Sequence, residues 1–413
     1  MTENINTYLT EHGHRPNRFV DFNETWSNVI VIPAHKECAS ALLKNLSKIK
    51  IKKKFLVIIV ANTYEPSDTW TSEMAEKLGA NKKKTQITSE ISLLMASSFD
   101  LLLVDCFSGT RVLKKKEGVG AARKIGCDLA VNLIHSGNID SQWIYSSDAD
   151  AMLPENYFQG NMGTNCVATH FAFSHRSERK LSEATGLYEL KVLYYAAGLS
   201  NANSIYAYPS LGSCICFSAE AYAKTRGFPK RNAGEDFHFL NKVRKIGAVN
   251  CDRNIRISLD GRLSKRTPIG TGQGISHFQA CLLKGEQPLF EHPDCFKELR
   301  TTIEAMEILS FQQTKNPIFP NKRIQAYMEK IGFLEHYEIK RKQTPSPQVM
   351  KKHFEDWFDG LKTRQFIRYF QDAFFGKVSR TKLSEGWFLK CGNGIATLRD
   401  FCEKQVFSVR SNK

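Results

Sequence analysis

Four short apolar runs, none of them alternating, constrain this chain more than any other feature. They are Asn28-Val29-Ile30-Val31-Ile32, stopped by Pro33; Phe55 to Ala61; Phe99 to Asp105; and Trp143 to Ser147. A strand with one face in water alternates apolar and polar residues. A run apolar at nearly every position is covered on both faces, as in a parallel sheet between helices. The intervening segments have helical character: Leu42, Leu43, Leu46 and Ile49 after the first run, Thr69 to Leu78 after the second, and Gly118 onward through Leu129, Ala130 and Leu133 after the third. Runs alternating with helices build βαβ units, so the expected class is α/β, a mostly parallel sheet flanked by helices.

Ligands of open α/β sheets collect beyond the carboxyl ends of the strands. The residues there are Pro33-Ala34-His35-Lys36-Glu37, Asn62-Thr63-Tyr64-Glu65, Asp105 to Gly109, and Asp148-Ala149-Asp150. The last is the sharpest. Carboxylates at i and i+2 on extended backbone point the same way and can reach one hard cation through oxygen. Such a cation can hold a diphosphate and neutralise its charge as it leaves.

Composition bounds the rest. At 42% hydrophobic and 24% charged residues, the chain can bury a sizeable core. Its 413 residues suggest about two to three folding units. No apolar stretch approaches the roughly 18 residues that cross a bilayer, and Met1 to Asp21 lacks a charged-then-apolar leader pattern. A cytoplasmic location is the simplest expectation. The 11 cysteines include no CxxC pair and read as reduced thiols filling the core. A formal charge of +16 favours anionic partners: phosphorylated small molecules, an anionic membrane surface or nucleic acid. No zinc finger, RNP-type motif or basic-region heptad is present, so specific nucleic-acid binding is not expected. After residue 282 the texture changes, aromatic and basic residues interleaving as in Phe366-Ile367-Arg368-Tyr369-Phe370. The expected organisation is an extension over 1–27, an α/β domain over 28–281, and a basic, mainly helical region over 282–413, its core built of Phe, Trp and Leu.

In sequence order, Val31 to Glu37, Gly118 to Gly126, Ser147 to Asp150, Gly212-Ser213-Cys214-Ile215-Cys216-Phe217 and Gly234-Glu235-Asp236-Phe237-His238-Phe239-Leu240 resemble a family 2 glycosyltransferase of GT-A fold over about residues 28–280. The resemblance implies a sugar moved from a nucleotide-diphospho-sugar to a hydroxyl acceptor (glycan, lipid-linked or small molecule), with Mn2+ or Mg2+ and inversion at the anomeric carbon. It implies Asp148 nearer the ribose, Asp150 on the metal, and Asp236 as general base with Glu235 beside it. Pro33, His35 and Glu37 would line the donor pocket, Arg123 would meet the donor, and Gly212-Ser213 would let the acceptor approach. The acidic pair that commonly follows the second strand is missing. Asn62 stands there, and its amide can still pair with a pyrimidine edge. His277 is the candidate for a downstream metal ligand, His292 a weaker one. Arg262 to Gly274, basic and glycine-rich, suits a lid in which Arg262 and Arg266 bind diphosphate and exclude water.

Two other functions fit part of the pattern. A sugar nucleotidyltransferase should open with a glycine-rich, arginine-bearing loop after the first strand, where His35-Lys36-Glu37 stands instead. A non-catalytic polyanion-binding protein would use only the basic surplus. Peripheral contact with an anionic membrane is compatible with the transferase as well.

Overall fold

The computed structural model describes residues 2–14, 22–65, 68–264, 269–343 and 346–408. They form two compact units, one drawing on residues up to 185 and on 210–277, the other on 186–209 and 278–408. Arg266 lies outside the described residues.

The first unit is built on one nine-stranded sheet: β1 (Val29–Ala34), β2 (Phe55–Asn62), β3 (Lys83–Gln86), β4 (Ile91–Met95), β5 (Phe99–Cys106), β6 (Trp143–Ser146), β7 (Cys166–Arg176), β8 (Ile215–Ser218) and β9 (Ala248–Asp260). Their order is β3-β4-β5-β2-β1-β6-β8-β7-β9. The pairings β1–β2, β2–β5, β1–β6 and β7–β9 are parallel, and β4 and β8 alone run against the rest. The sheet is therefore mostly parallel, as the four runs require. Every residue of β1 and β2 is buried, which explains why neither alternates. Exposed Lys83 and Lys84 lie on β3, an edge strand, where charge discourages pairing with another chain.

Helices α1 (Thr2–Glu11), α2 (Ala39–Leu46), α3 (Thr69–Gly79), α4 (Gly118–His135), α5 (Ser182–Asn201), α6 (Ala219–Lys224), α7 (Glu235–Ile246) and α8 (Thr271–Leu283) follow in chain order. Residues 2–11 belong to this first unit as more than an appendage. Buried Tyr8 donates to the buried carboxylate of Asp128 on α4 at 2.5 Å, and Tyr222 on α6 donates to the same oxygen at 2.7 Å. Gly120 sets the approach of α4 to the segment leading into α7. Its N–H donates to the Arg231 carbonyl at 3.0 Å, and a Cβ there would lie 2.4 Å from the Pro229 carbonyl oxygen.

The second unit is mainly helical, with α9 (Pro293–Gln312), α10 (Lys322–Lys330), α11 (Phe333–Gln343), α12 (Pro347–Trp357) and α13 (Gly360–Phe370). Phe333, Tyr337, Phe354, Phe366 and Phe370 are buried in it, the aromatic core expected for this region. Its sequence carries 23 basic against 16 acidic residues over 282–413, and among the described residues many cations lie exposed. No described helix is long and apolar enough to cross a membrane.

Candidate active site

The turn that follows β1 carries His35, Lys36 and Glu37 away from the sheet. Lys36 has φ of +55°, a conformation that residues with a Cβ seldom hold and that recurs at functional sites. His35 donates from Nδ1 to the Asn62 carbonyl at 2.9 Å, joining the ends of β1 and β2. The His35 and Tyr64 rings lie 5.2 Å apart. Asn62 is 6% exposed, and its Oδ1 has no hydrogen-bond partner. A buried amide oxygen left unpaired costs on the order of 1–3 kcal/mol. That oxygen is a ready acceptor for an N–H donor. Pro33 is buried within β1.

Beyond β6 stand Asp148 and Asp150, and each is gripped by an arginine. Arg262, just past the end of β9, reaches Glu37 at 2.8 Å, Asp150 at 2.9 Å and Asp260 at 3.6 Å. One guanidinium thus faces three carboxylates, with Asp148 two residues from Asp150. Burial first, then the charges of Asp148 and Glu37, raise the Asp150 carboxyl to about 7 against the opposing pull of Arg262.

Asp148 turns the other way, accepting from Arg123 Nη2 at 3.0 Å. Arg123, on α4, is 2% exposed. Its Nη1 donates to Ser146 Oγ at 2.6 Å and to the Gly212 carbonyl at 3.1 Å, and its Nε to Glu235 at 3.4 Å. The donor contact expected for Arg123 therefore meets a different geometry. The guanidinium directs its donors to Asp148, Ser146, Gly212 and Glu235 inside the protein.

Glu235 and Asp236 open α7, whose preceding residue Gly234 has φ of +71°. Negative charge in a helix's first turn is favoured by the backbone dipole. Asp236 accepts from the Phe237 N–H at 2.7 Å and from the Gly212 N–H at 3.0 Å. Burial raises the proton affinity of Glu235, and Asp236 adds to it. Burial raises that of Asp236 too, against its two backbone hydrogen bonds and the charge of Arg123. A buried carboxylate of raised proton affinity is suited to take a proton near neutral pH.

The structure thus gathers Arg123, Asp148, Gly212, Glu235 and Asp236 in one network and Arg262, Glu37 and Asp150 in another, the two meeting along the chain at Asp148 and Asp150, and sets His35 and Asn62 at neighbouring strand ends. Ser213 is buried beside Gly212. His277 is exposed on α8, and among the described residues no three of His, Cys, Asp or Glu converge as a metal-ligating group. His292 caps α9 in the second unit, accepting from the Asp294 N–H. Two participants went unnoticed in the sequence, Ser146 and Asp260. Asp260 ends a strand and would have been found by the strand-end rule once β9 was recognised.

No protein-family model and no curated protein sequence matches this chain. Solved structures do. S. aureus TarS residues 1–349 in complex with UDP-GlcNAc is 11% identical, over 92% of this chain and 91% of that one, with a TM-score of 0.35. The same protein in complex with UDP is 10% identical over 80% and 90%, with a TM-score of 0.34. The bifunctional glycosyltransferase WbbM in its apo form is 10% identical over 54% and 38%, with a TM-score of 0.29. What the site can do chemically is read from the chain's own residues.

Proposed function

We propose that this chain is a nucleotide-sugar glycosyltransferase that transfers with inversion. One observation carries the reading: the single guanidinium of Arg123 touches both the strand-end acid Asp148 and the helix-start acid Glu235, so the two acidic motifs share one site. A lone strand-end acid pair has many uses. Joined to a second acid pair of raised proton affinity, it supplies the parts of displacement at a sugar carbon: a place for the leaving group and a base for the incoming hydroxyl.

The division of labour follows from position. Asn62 Oδ1 takes an N–H from the base, with Tyr64 and His35 beside it, and Pro33 shapes the pocket floor. Asp148 lies on the ribose side. Asp236, poised by the Gly212 N–H, accepts the acceptor proton, and Glu235 keeps negative charge beside it. Arg262 is the more exposed of the two arginines, and a bound diphosphate would compete for it with Glu37 and Asp150.

A divalent cation fits the same place. The acids that share Arg262 with Asp150, Glu37 and Asp260, offer the hard carboxylate oxygens that Mg2+ and Mn2+ prefer, and among the described residues Arg262 is the arginine that pairs with them. Asp150 and Asp148 would hold the ion, completed by donor phosphates and water, without need of His277. When bound, it supplies charge neutralisation to the leaving diphosphate.

Thermal shift against UDP, GDP, CMP and dTDP, each with and without Mg2+ or Mn2+, tests the binding half. Ligand that binds only the native state raises the melting temperature. The expected result is a metal-dependent rise with one nucleotide, lost in Asp150→Ala. No rise with any nucleotide would overturn the reading. Salt-sensitive binding of polyanions alone would assign the chain to the non-catalytic class.

A further inference from the structure

We propose that Arg123 is the positioning residue of this site, with Gly212 as its seat: together they set where Asp236 stands relative to Asp148. The inference rests on the glycosyltransferase reading and adds to it a residue that acts through others and not on the donor.

Arginine carries five N–H donors in a rigid plane. Here that plane is buried and most of its donors are taken. Nη1 holds Ser146 Oγ at 2.6 Å and the Gly212 carbonyl at 3.1 Å, with the Ser147 carbonyl at 3.5 Å. Nη2 holds Asp148 at 3.0 Å, and Nε faces Glu235 at 3.4 Å. Ser146 Oγ in turn donates to the Gly212 carbonyl at 2.8 Å. The Phe228 ring centroid lies 5.8 Å from Cζ. With four of its N–H groups directed at protein acceptors and 2% of its surface exposed, the side chain is engaged in the protein and not turned toward a phosphate.

What it controls is the peptide at Gly212. The carbonyl of that residue is held by Arg123 and Ser146, and its N–H is donated to Asp236 at 3.0 Å. The order is therefore Asp148, Arg123, Gly212, Asp236, a continuous path from the end of β6 to the start of α7. The absence of a side chain at Gly212 has a concrete reason. A Cβ there would stand 2.9 Å from Arg123 Nη2 and 3.0 Å from Cζ. The glycine makes room for the guanidinium, whatever it also does for an acceptor. Positional errors of about 1 Å can cost on the order of a hundredfold in rate, so a guanidinium that fixes two reacting groups at once is a strong lever on turnover.

The test compares wild type, Arg123→Lys and Gly212→Ala in the full chain. It measures melting temperature, the Kd of UDP (or whichever nucleotide diphosphate stabilises the wild type), and kcat and KM for the corresponding sugar donor. Lysine keeps the charge but cannot span Asp148, Ser146 and Gly212. Alanine at 212 keeps the arginine but displaces it. Both variants are expected to lose about a hundredfold or more in kcat, with Kd and KM within about threefold of wild type. A rise in Kd or KM of thirtyfold with kcat intact would show that Arg123 binds the donor and overturn the proposal. So would wild-type kcat in either variant, or loss of folding in both, which would place the network in the folding core alone. If Arg123→Lys alone fails to fold, Gly212→Ala decides. A wild type without turnover on any donor sinks the glycosyltransferase reading itself; wild-type turnover with unaffected variants sinks this inference only.

Discussion

Asp150 carries opposite demands. Its carboxyl is raised from an ordinary 3.8 to about 7 by burial and by neighbouring acids. Between those values the native state binds more protons than the unfolded chain, so this group's contribution to stability declines as pH rises through that window. In Asp150→Asn the decline should vanish, raising the melting temperature of the ligand-free protein at pH 7.5 by about 1–3 °C while abolishing metal-stimulated turnover. Equal melting temperatures at pH 5 and 7.5 in wild type and variant would contradict the electrostatic account. Asp236 titrates together with Glu235, both raised chiefly by burial. Turnover should therefore fall on acidification with a midpoint above the usual carboxylate range, and a kcat profile flat from pH 8 to 5 would oppose this. The acids themselves were legible in the sequence because strand ends and helix starts are legible. The inward turn of Arg123 was not: a GxG before an arginine reads the same whether the side chain faces a ligand or the interior.

Among the elements, the four continuous apolar runs became β1, β2, β5 and β6, because burial on both faces leaves a run that cannot be mistaken for a half-wet strand. The strands outside those runs were harder. Strand β3 is exposed along its length, Lys-Lys-Thr-Gln, and has no apolar pattern to find. Strand β9 mixes buried and exposed positions over 13 residues with register shifts against β7, so its period is broken. Helix α4 was legible from its glycines, whose role is close packing. Gly120→Ala would drive a Cβ to 2.4 Å from the Pro229 carbonyl oxygen. Displacing that segment should cost about 1–3 kcal/mol by chemical denaturation, and it should lower turnover as well, since the same segment leads into α7. A stability change without any change in turnover would separate α4 packing from the site.

At the scale of the whole molecule, a charge of +16 sits on a chain whose proposed donor carries a diphosphate. Exposed cations are screened within about 8–10 Å at physiological salt, whereas the buried contacts of Arg123 are not. The KM for donor should therefore rise several-fold between about 50 and 500 mM salt while kcat changes little; a salt-independent KM would place the basic surplus outside donor capture. Residues 186–209 group with 278–408 in one compact unit, which a reading along the chain does not reveal. The central claim, that the acids of β6 and α7 serve one bound donor, is tested most directly by Asp236→Asn. The substitution keeps shape and removes basicity. Its affinity for the nucleotide diphosphate should match wild type within about twofold, with transfer to acceptor reduced about a thousandfold or more. Transfer at the wild-type rate in Asp236→Asn would contradict it.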